Sequence, residues 1–201
     1  PPNSRIAPWW RLLHKKWSNR AIPDFSLSLE VTHHGPVLDV PALFIEVGST
    51  EPYWPNEDAA KLLAEIITEG LSLNGSNESY SWSESNETEP VLITLGGGHY
   101  APKANKLALE PNVWIGHMLA NHSLPFGSQE EPGTLWKQSI DAAIASTTKA
   151  YPGGRIVCNV EKKSFKGWQR QLIYQHLDNV GVEVVRTNAF LEMVKGCKAG
   201  Q

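Results

Sequence analysis

Val91-Leu92-Ile93-Thr94-Leu95 runs straight into Gly96-Gly97-Gly98-His99-Tyr100, and this junction of an aliphatic run with three glycines decides the fold. A short, nearly continuous aliphatic run reads as a strand covered on both faces, as in a parallel sheet. The glycines end it. Toward the carboxyl terminus the same rhythm repeats. A short helix is predicted over 103–109, then the strand Val113-Trp114-Ile115-Gly116-His117-Met118. A helix over 134–150 ends at Pro152-Gly153-Gly154, and a strand over 155–160, a helix over 164–177 and a strand over 182–186 follow. Toward the amino terminus, 57–71 has an acidic first turn, an apolar stripe at helical spacing and Gly70 near its end, so it predicts a helix. Residues 8–19 predict an amphipathic helix with Arg11, Lys15 and Lys16 outward. Residues 25–31 alternate with period two and predict a strand, and Ala42-Leu43-Phe44-Ile45 predicts another, interrupted by Glu46. Residues 73–89, rich in Ser, Asn and Glu, read as a surface loop. Strands alternating with helices predict an α/β domain with three layers, α/β/α, and a mostly parallel sheet. One domain over 1–201 is expected, with 187–201 as a tail and no internal repeat.

Length and composition narrow the function. The 201 residues suit one domain better than two, and 41% hydrophobic content with eight Trp excludes a disordered chain. A formal net charge of -3 supplies no global attraction for nucleic acid, so any RNA binding needs a local basic face. Cys158 and Cys197 form no CxxC pair and imply neither a disulfide scaffold nor a thiolate zinc site. Cys158 lies in an apolar run and reads as a small buried residue. No apolar stretch approaches the about 20 residues that span a bilayer. The start, Pro1-Pro2-Asn3-Ser4-Arg5, has no signal-peptide character. A soluble protein of a reducing compartment, cytoplasm or nucleus, is expected, without membrane attachment and as monomer or homodimer. A first residue other than Met is read as a sign of N-terminal truncation.

Polar groups gather immediately after apolar strands: His33-His34, Glu46, His99 and, late in its strand, His117. In open α/β sheets such strand ends converge on one crevice. Only one of His33 and His34 is expected to face it, since neighbours in extended chain point apart. Either one reads equally as a loop histidine bonded to backbone. A carboxylate beside an aliphatic run, as at Glu46, is costly unless paired or bound to metal. Gly96-Gly97-Gly98 lacks the GK[ST] ending of a phosphate loop and the dinucleotide fingerprint. Its backbone N–H groups suit a phosphate or the oxygen of an ester under attack, with a plain tight turn as the alternative. His117, alone, reads as a core histidine, and His122 nearby adds weak support for a metal. Imidazoles with a carboxylate would suit Zn²⁺ holding an activated water. Lys162-Lys163-Ser164-Phe165-Lys166-Gly167-Trp168-Gln169-Arg170 is the strongest basic segment. Its lysines suit phosphates and Phe165 or Trp168 a stacked base, the alternative being a solvated helix face.

Thr32-His33-His34-Gly35-Pro36, Glu46-Val47-Gly48-Ser49-Thr50-Glu51 with Trp54, Gly96-Gly97-Gly98-His99-Tyr100-Ala101-Pro102, Trp114-Ile115-Gly116-His117 and Lys163-Ser164-Phe165 together resemble the D-aminoacyl-tRNA deacylases of archaea and plants. The segments occur in the family's order between about residues 5 and 186. The resemblance implies a phosphorylase/hydrolase-like fold akin to peptidyl-tRNA hydrolase, a zinc requirement, and D-aminoacyl-tRNA as substrate. It also implies a further N-terminal part with early strands ahead of this chain. On that footing His33, Glu46 and His99 are expected to bind metal or polarise water. His117 is expected to assist, and Gly97 and Gly98 to stabilise the oxyanion. Lys103, Lys162, Lys163, Lys166 and Arg170 are expected to hold tRNA. Selection of the D form is expected from collision of an L side chain with the glycine run. Two rivals stand beside this reading: a nucleoside phosphorylase-like enzyme and a non-catalytic RNA-binding module.

Overall fold

In the computed structural model, which describes residues 1–20, 22, 24–31, 38–48, 50–75 and 80–199, a parallel sheet forms the centre. Strands β1 (Pro90–Leu95), β2 (Trp114–Leu119), β3 (Arg155–Val160) and β4 (Glu183–Val184) lie in the order β2-β1-β3-β4, every pairing parallel. β1 is buried along its whole length, as a central strand with both faces covered must be. Its side chains alternate between two cores, Leu92 joining Ile115 and Val157, and Ile93 joining Cys158. On the first face pack α1 (Ile6–Trp17), α3 (Pro102–Leu107) and α6 (Thr187–Ala199), through Ala7, Trp10, Ala104, Leu107, Phe190 and Val194. On the second pack α4 (Leu135–Ala150) and α5 (Gly167–Asn179), through Trp136, Ile140, Ile173 and Leu177. α2 (Glu57–Gly70) lies outside α1, with Leu62 and Ile66 against Trp9 and Leu12. Three layers result, α/β/α, as expected.

Three expectations are corrected. Residues 25–31 do alternate in exposure, with Leu29 and Val31 buried and Ser28 and Glu30 exposed, yet they form no strand. The amide of Leu29 donates to Asn105 Oδ1 and that of Val31 to the His99 carbonyl, so a side chain and a loop replace a neighbouring strand. Ala42-Leu43-Phe44-Ile45 is not a buried strand either, since it has only an isolated bridge from Ala42 to Pro2 and Phe44 is 66% exposed. The stretch after Arg186, expected as a tail, forms α6 and sends Phe190 and Val194 into the core.

The topology places the site. From β1 the chain passes through α3 to β2 on one side, and from β3 through α5 to β4 on the other. Loops leaving the carboxyl ends of the neighbours β1 and β3 therefore diverge, which opens a crevice between them.

Candidate active site

The floor of the crevice is the glycine loop. Gly96 and Gly97 have φ of +97° and +87°, backbone that side chains with a Cβ adopt only at a cost. Space is also closed to a Cβ. One at Gly96 would lie 2.8 Å from Phe165 Cε2 and Ser164 Cβ, and one at Gly97 2.8 Å from Glu161 Oε2. Gly98, by contrast, meets nothing within 4 Å. Hydrogen bonds continue the sheet into the loops: Gly96 N–H donates to the Leu119 carbonyl, Glu161 N–H to Leu95, and Asn121 N–H to Gly97. The Gly97 amide donates to Ser164 Oγ at 2.7 Å, which ties the loop after β1 to the turn after β3.

This bond revises one expectation. The Gly97 N–H is already engaged, whereas Gly98 N–H has no partner among the described residues. Ser164 Oγ accepts from Gly97 and keeps its own hydroxyl proton to donate. Lys103, half-buried at the start of α3, has its pKa lowered by burial, an effect that attraction to Glu161 partly offsets. The crevice thus holds a carboxylate, an ammonium group, a hydroxyl and an unengaged amide.

The expected residues divide. His33 lies outside the described residues. His99 follows the glycine loop, and its Nε2 lies 3.4 Å from Glu30 Oε2, both side chains partly exposed. Glu46 is exposed in residues 43–48 and makes no ion pair or hydrogen bond among the described residues. His117 occupies a bulge: Leu92 pairs with Ile115 and Thr94 with Met118, leaving Gly116 and His117 opposite Ile93 alone. Burial, with a smaller contribution from the amino-terminal charge, pulls the His117 imidazole down to about 4. It is neutral at neutral pH. His122 is exposed in the turn Asn121–Ser123.

Of the three residues expected to hold zinc, His33 lies outside the described residues. An open catalytic zinc site takes three protein ligands. His99 and Glu30 supply two donors, and no group of three His, Cys, Asp or Glu close enough to hold a metal ion occurs among the described residues.

In the basic segment, Lys162–Ser164 forms a single turn and Lys162, Lys163 and Lys166 are exposed. Arg170 is less available than expected, because its Nη1 donates to the Lys162 and Phe165 carbonyls at 3.0 and 2.6 Å and clamps that turn.

Sequence reasoning missed Glu161, Ser164 as a partner of the loop, Glu30 and Asn105. Asn105 holds the mouth together: its Nδ2 donates to the Tyr100 and Ala101 carbonyls and its Oδ1 accepts from Leu29. It thereby supports Ala101, which sits at φ 37° in the left-handed region. Such backbone in a non-glycine residue costs about 1 kcal/mol. Glu161 carried the signal already used for Glu46, a carboxylate directly after an apolar strand.

Comparisons with known proteins agree with this architecture. A family described as D-aminoacyl-tRNA deacylase matches residues 1–185. A D-aminoacyl-tRNA deacylase of Arabidopsis thaliana is 41% identical over 94% of this chain and 63% of its own length. One from Thermococcus onnurineus is 37% identical over 78% of this chain and 50% of its own. The chain thus spans less than two thirds of the length of either relative. A solved structure described as a conserved protein of unknown function superposes with a TM-score of 0.68 over 97% of this chain and 59% of that one. At 23% identity it shows the fold alone.

Proposed function

The chain belongs to the D-aminoacyl-tRNA deacylase family, and on that premise we propose that it hydrolyses the ester joining a D-amino acid to tRNA. The observation that carries the reading is the closure of Glu161 and Ser164 on Gly97 in the crevice between β1 and β3. In this reading, water attacks the ester carbonyl while the Glu161 carboxylate accepts its proton. Gly98 N–H, the Ser164 hydroxyl and the Lys103 ammonium group face the developing oxyanion. When the tetrahedral intermediate collapses, the bond to the ribose oxygen breaks and that oxygen takes the proton back from Glu161. Free amino acid and tRNA leave. Glu30 and His99 stand at the mouth, where a carboxylate suits the α-ammonium group of the substrate. Lys162, Lys163 and Lys166 suit the phosphates of the acceptor end.

Selection of the D form rests on rigidity. A wall of Gly96 and Gly97 packed against Phe165, Ser164 and Glu161 leaves no freedom to yield to an L side chain. Neither the phosphorylase nor the passive RNA-binding alternative is favoured by the family match. Hydrolysis of D- and L-tyrosyl-tRNA by the chain and by Glu161→Gln tests the reading. Loss of a general base is expected to lower the D-specific rate about a hundredfold or more. A Glu161→Gln variant as fast as the parent would remove Glu161 from the mechanism, and equal rates on both enantiomers would remove the wall.

A further inference from the structure

Beside the crevice lies an aromatic surface that the chemistry above does not use. Phe126 lies flat against the buried Trp136, with centroids 4.7 Å apart and planes at 17°, and Trp168 meets Phe126 edge-on at 5.5 Å and 89°. Phe126 and Trp168 are both half-buried. The Trp168 indole N–H makes no hydrogen bond among the described residues and is not among their buried unpaired nitrogens, so it reaches the surface. Phe165 joins the two regions. Its ring centroid lies 6.4 Å from that of Phe126, and its Cε2 closes on Gly96.

Charge identifies the occupant. The chain carries a net -3, yet Lys162, Lys163 and Lys166 are exposed along the segment that leads to Trp168, and the Lys137 ammonium group lies 5.4 Å from the centre of the Trp136 ring. Half-exposed rings backed by a rigid buried ring and fringed by lysines suit a nucleobase with its phosphate, for base-on-aromatic stacking contributes about 1–3 kcal/mol. The spacing agrees. A ribose separates a nucleobase from an esterified hydroxyl, and one phenyl ring, that of Phe165, separates the platform from the glycine loop.

We propose that Phe126 and Trp168 form the seat of the terminal nucleobase of the RNA whose ester enters the crevice, with Lys162, Lys163 and Lys166 on the neighbouring phosphates. The inference rests on the deacylase reading, and its test separates the two. AMP and ribose 5-phosphate are titrated against the chain, against Trp168→Leu and against Trp168→Phe, with the indole N–H resonances followed by NMR. AMP is expected to shift the Trp168 signal in the parent. Trp168→Leu is expected to weaken AMP about tenfold, to leave ribose 5-phosphate unchanged and to raise KM for D-aminoacyl-tRNA by a similar factor. Trp168→Phe is expected to restore most of the loss. Equal AMP affinity in parent and Trp168→Leu, or equal weakening of both probes, overturns the platform. Base binding through Trp168 in a chain that hydrolyses no D-aminoacyl-tRNA keeps the platform and overturns the deacylase reading.

Discussion

The two ends of the sheet are built on opposite plans. At the amino end, Trp82, Trp114 and Tyr151 pack edge to face with centroids 5.1 to 6.3 Å apart. Their polar atoms are matched: Trp114 Nε1 donates to Glu89 Oε2, Trp82 Nε1 to the Pro152 carbonyl, and the Tyr151 hydroxyl to the Ile115 carbonyl. Glu89 itself is 4% exposed. At the carboxyl end, Glu161, Ser164, His99 and Lys103 keep part of their surface in water, and the amide of Gly98 has no partner among the described residues. One end commits its polar groups to one another. The other holds them ready for a ligand, as loops at strand ends commonly do.

The largest effect that tests this division is expected at Glu89. Glu89→Ala leaves the buried Trp114 indole N–H without an acceptor and opens a void, at a cost on the order of 3 kcal/mol. The urea midpoint should fall, while kcat of the folded fraction should not change. A changed kcat with an unmoved midpoint would put the amino end in the reaction.

His117 sharpens the contrast, because it lies near the rim yet is largely withdrawn from water. Its folded pKa is about 4, against about 6.5 unfolded. Below pH about 6.5 the unfolded chain takes up a proton that the folded chain refuses. The stability contribution present above that pH is thus lost as pH falls toward about 4, by on the order of 2–3 kcal/mol. His117→Gln should flatten this part of a stability-versus-pH curve measured by urea unfolding. The same slope in both proteins would show that His117 is not the sensor.

A smaller effect separates two glycines with similar backbone. Gly97 and Gly153 both have positive φ, and a Cβ at Gly153 would meet the flexible Glu87 side chain. Alanine at either should cost about 1 kcal/mol of stability. Only Gly97→Ala should also lower kcat/KM, about tenfold, because its Cβ displaces Glu161. Equal kinetics in the two variants would erase the distinction between the ends.

The layers and most of the parallel sheet could be read from sequence because β1, β2 and β3 are runs whose burial depends on side-chain chemistry alone. Residues 25–31 show the limit of that reading. Alternation reports which side chains are buried, and Leu29 and Val31 are, but it does not report whether a partner strand receives the amides. The aliphatic run around Phe44 misled for the converse reason, since Leu43 and Ile45 pack against the cluster of Trp9, Leu62 and Ile66 without any ladder of strand hydrogen bonds, while Phe44 stays 66% exposed. In the site, His99 and the glycine loop were visible as strand-end residues. Asn105 was not, because its contact with Leu29 joins positions 76 apart in the chain and depends on both segments being already folded.

The bond from the Gly97 amide to the Ser164 hydroxyl oxygen fastens two loops that leave the sheet in opposite directions. Whatever draws Ser164 toward an incoming group also pulls on the peptide plane of Gly97, so docking is transmitted mechanically across the cleft. That amide is therefore a built-in reporter: its nitrogen chemical shift should register occupancy before any bond in the cargo is cut.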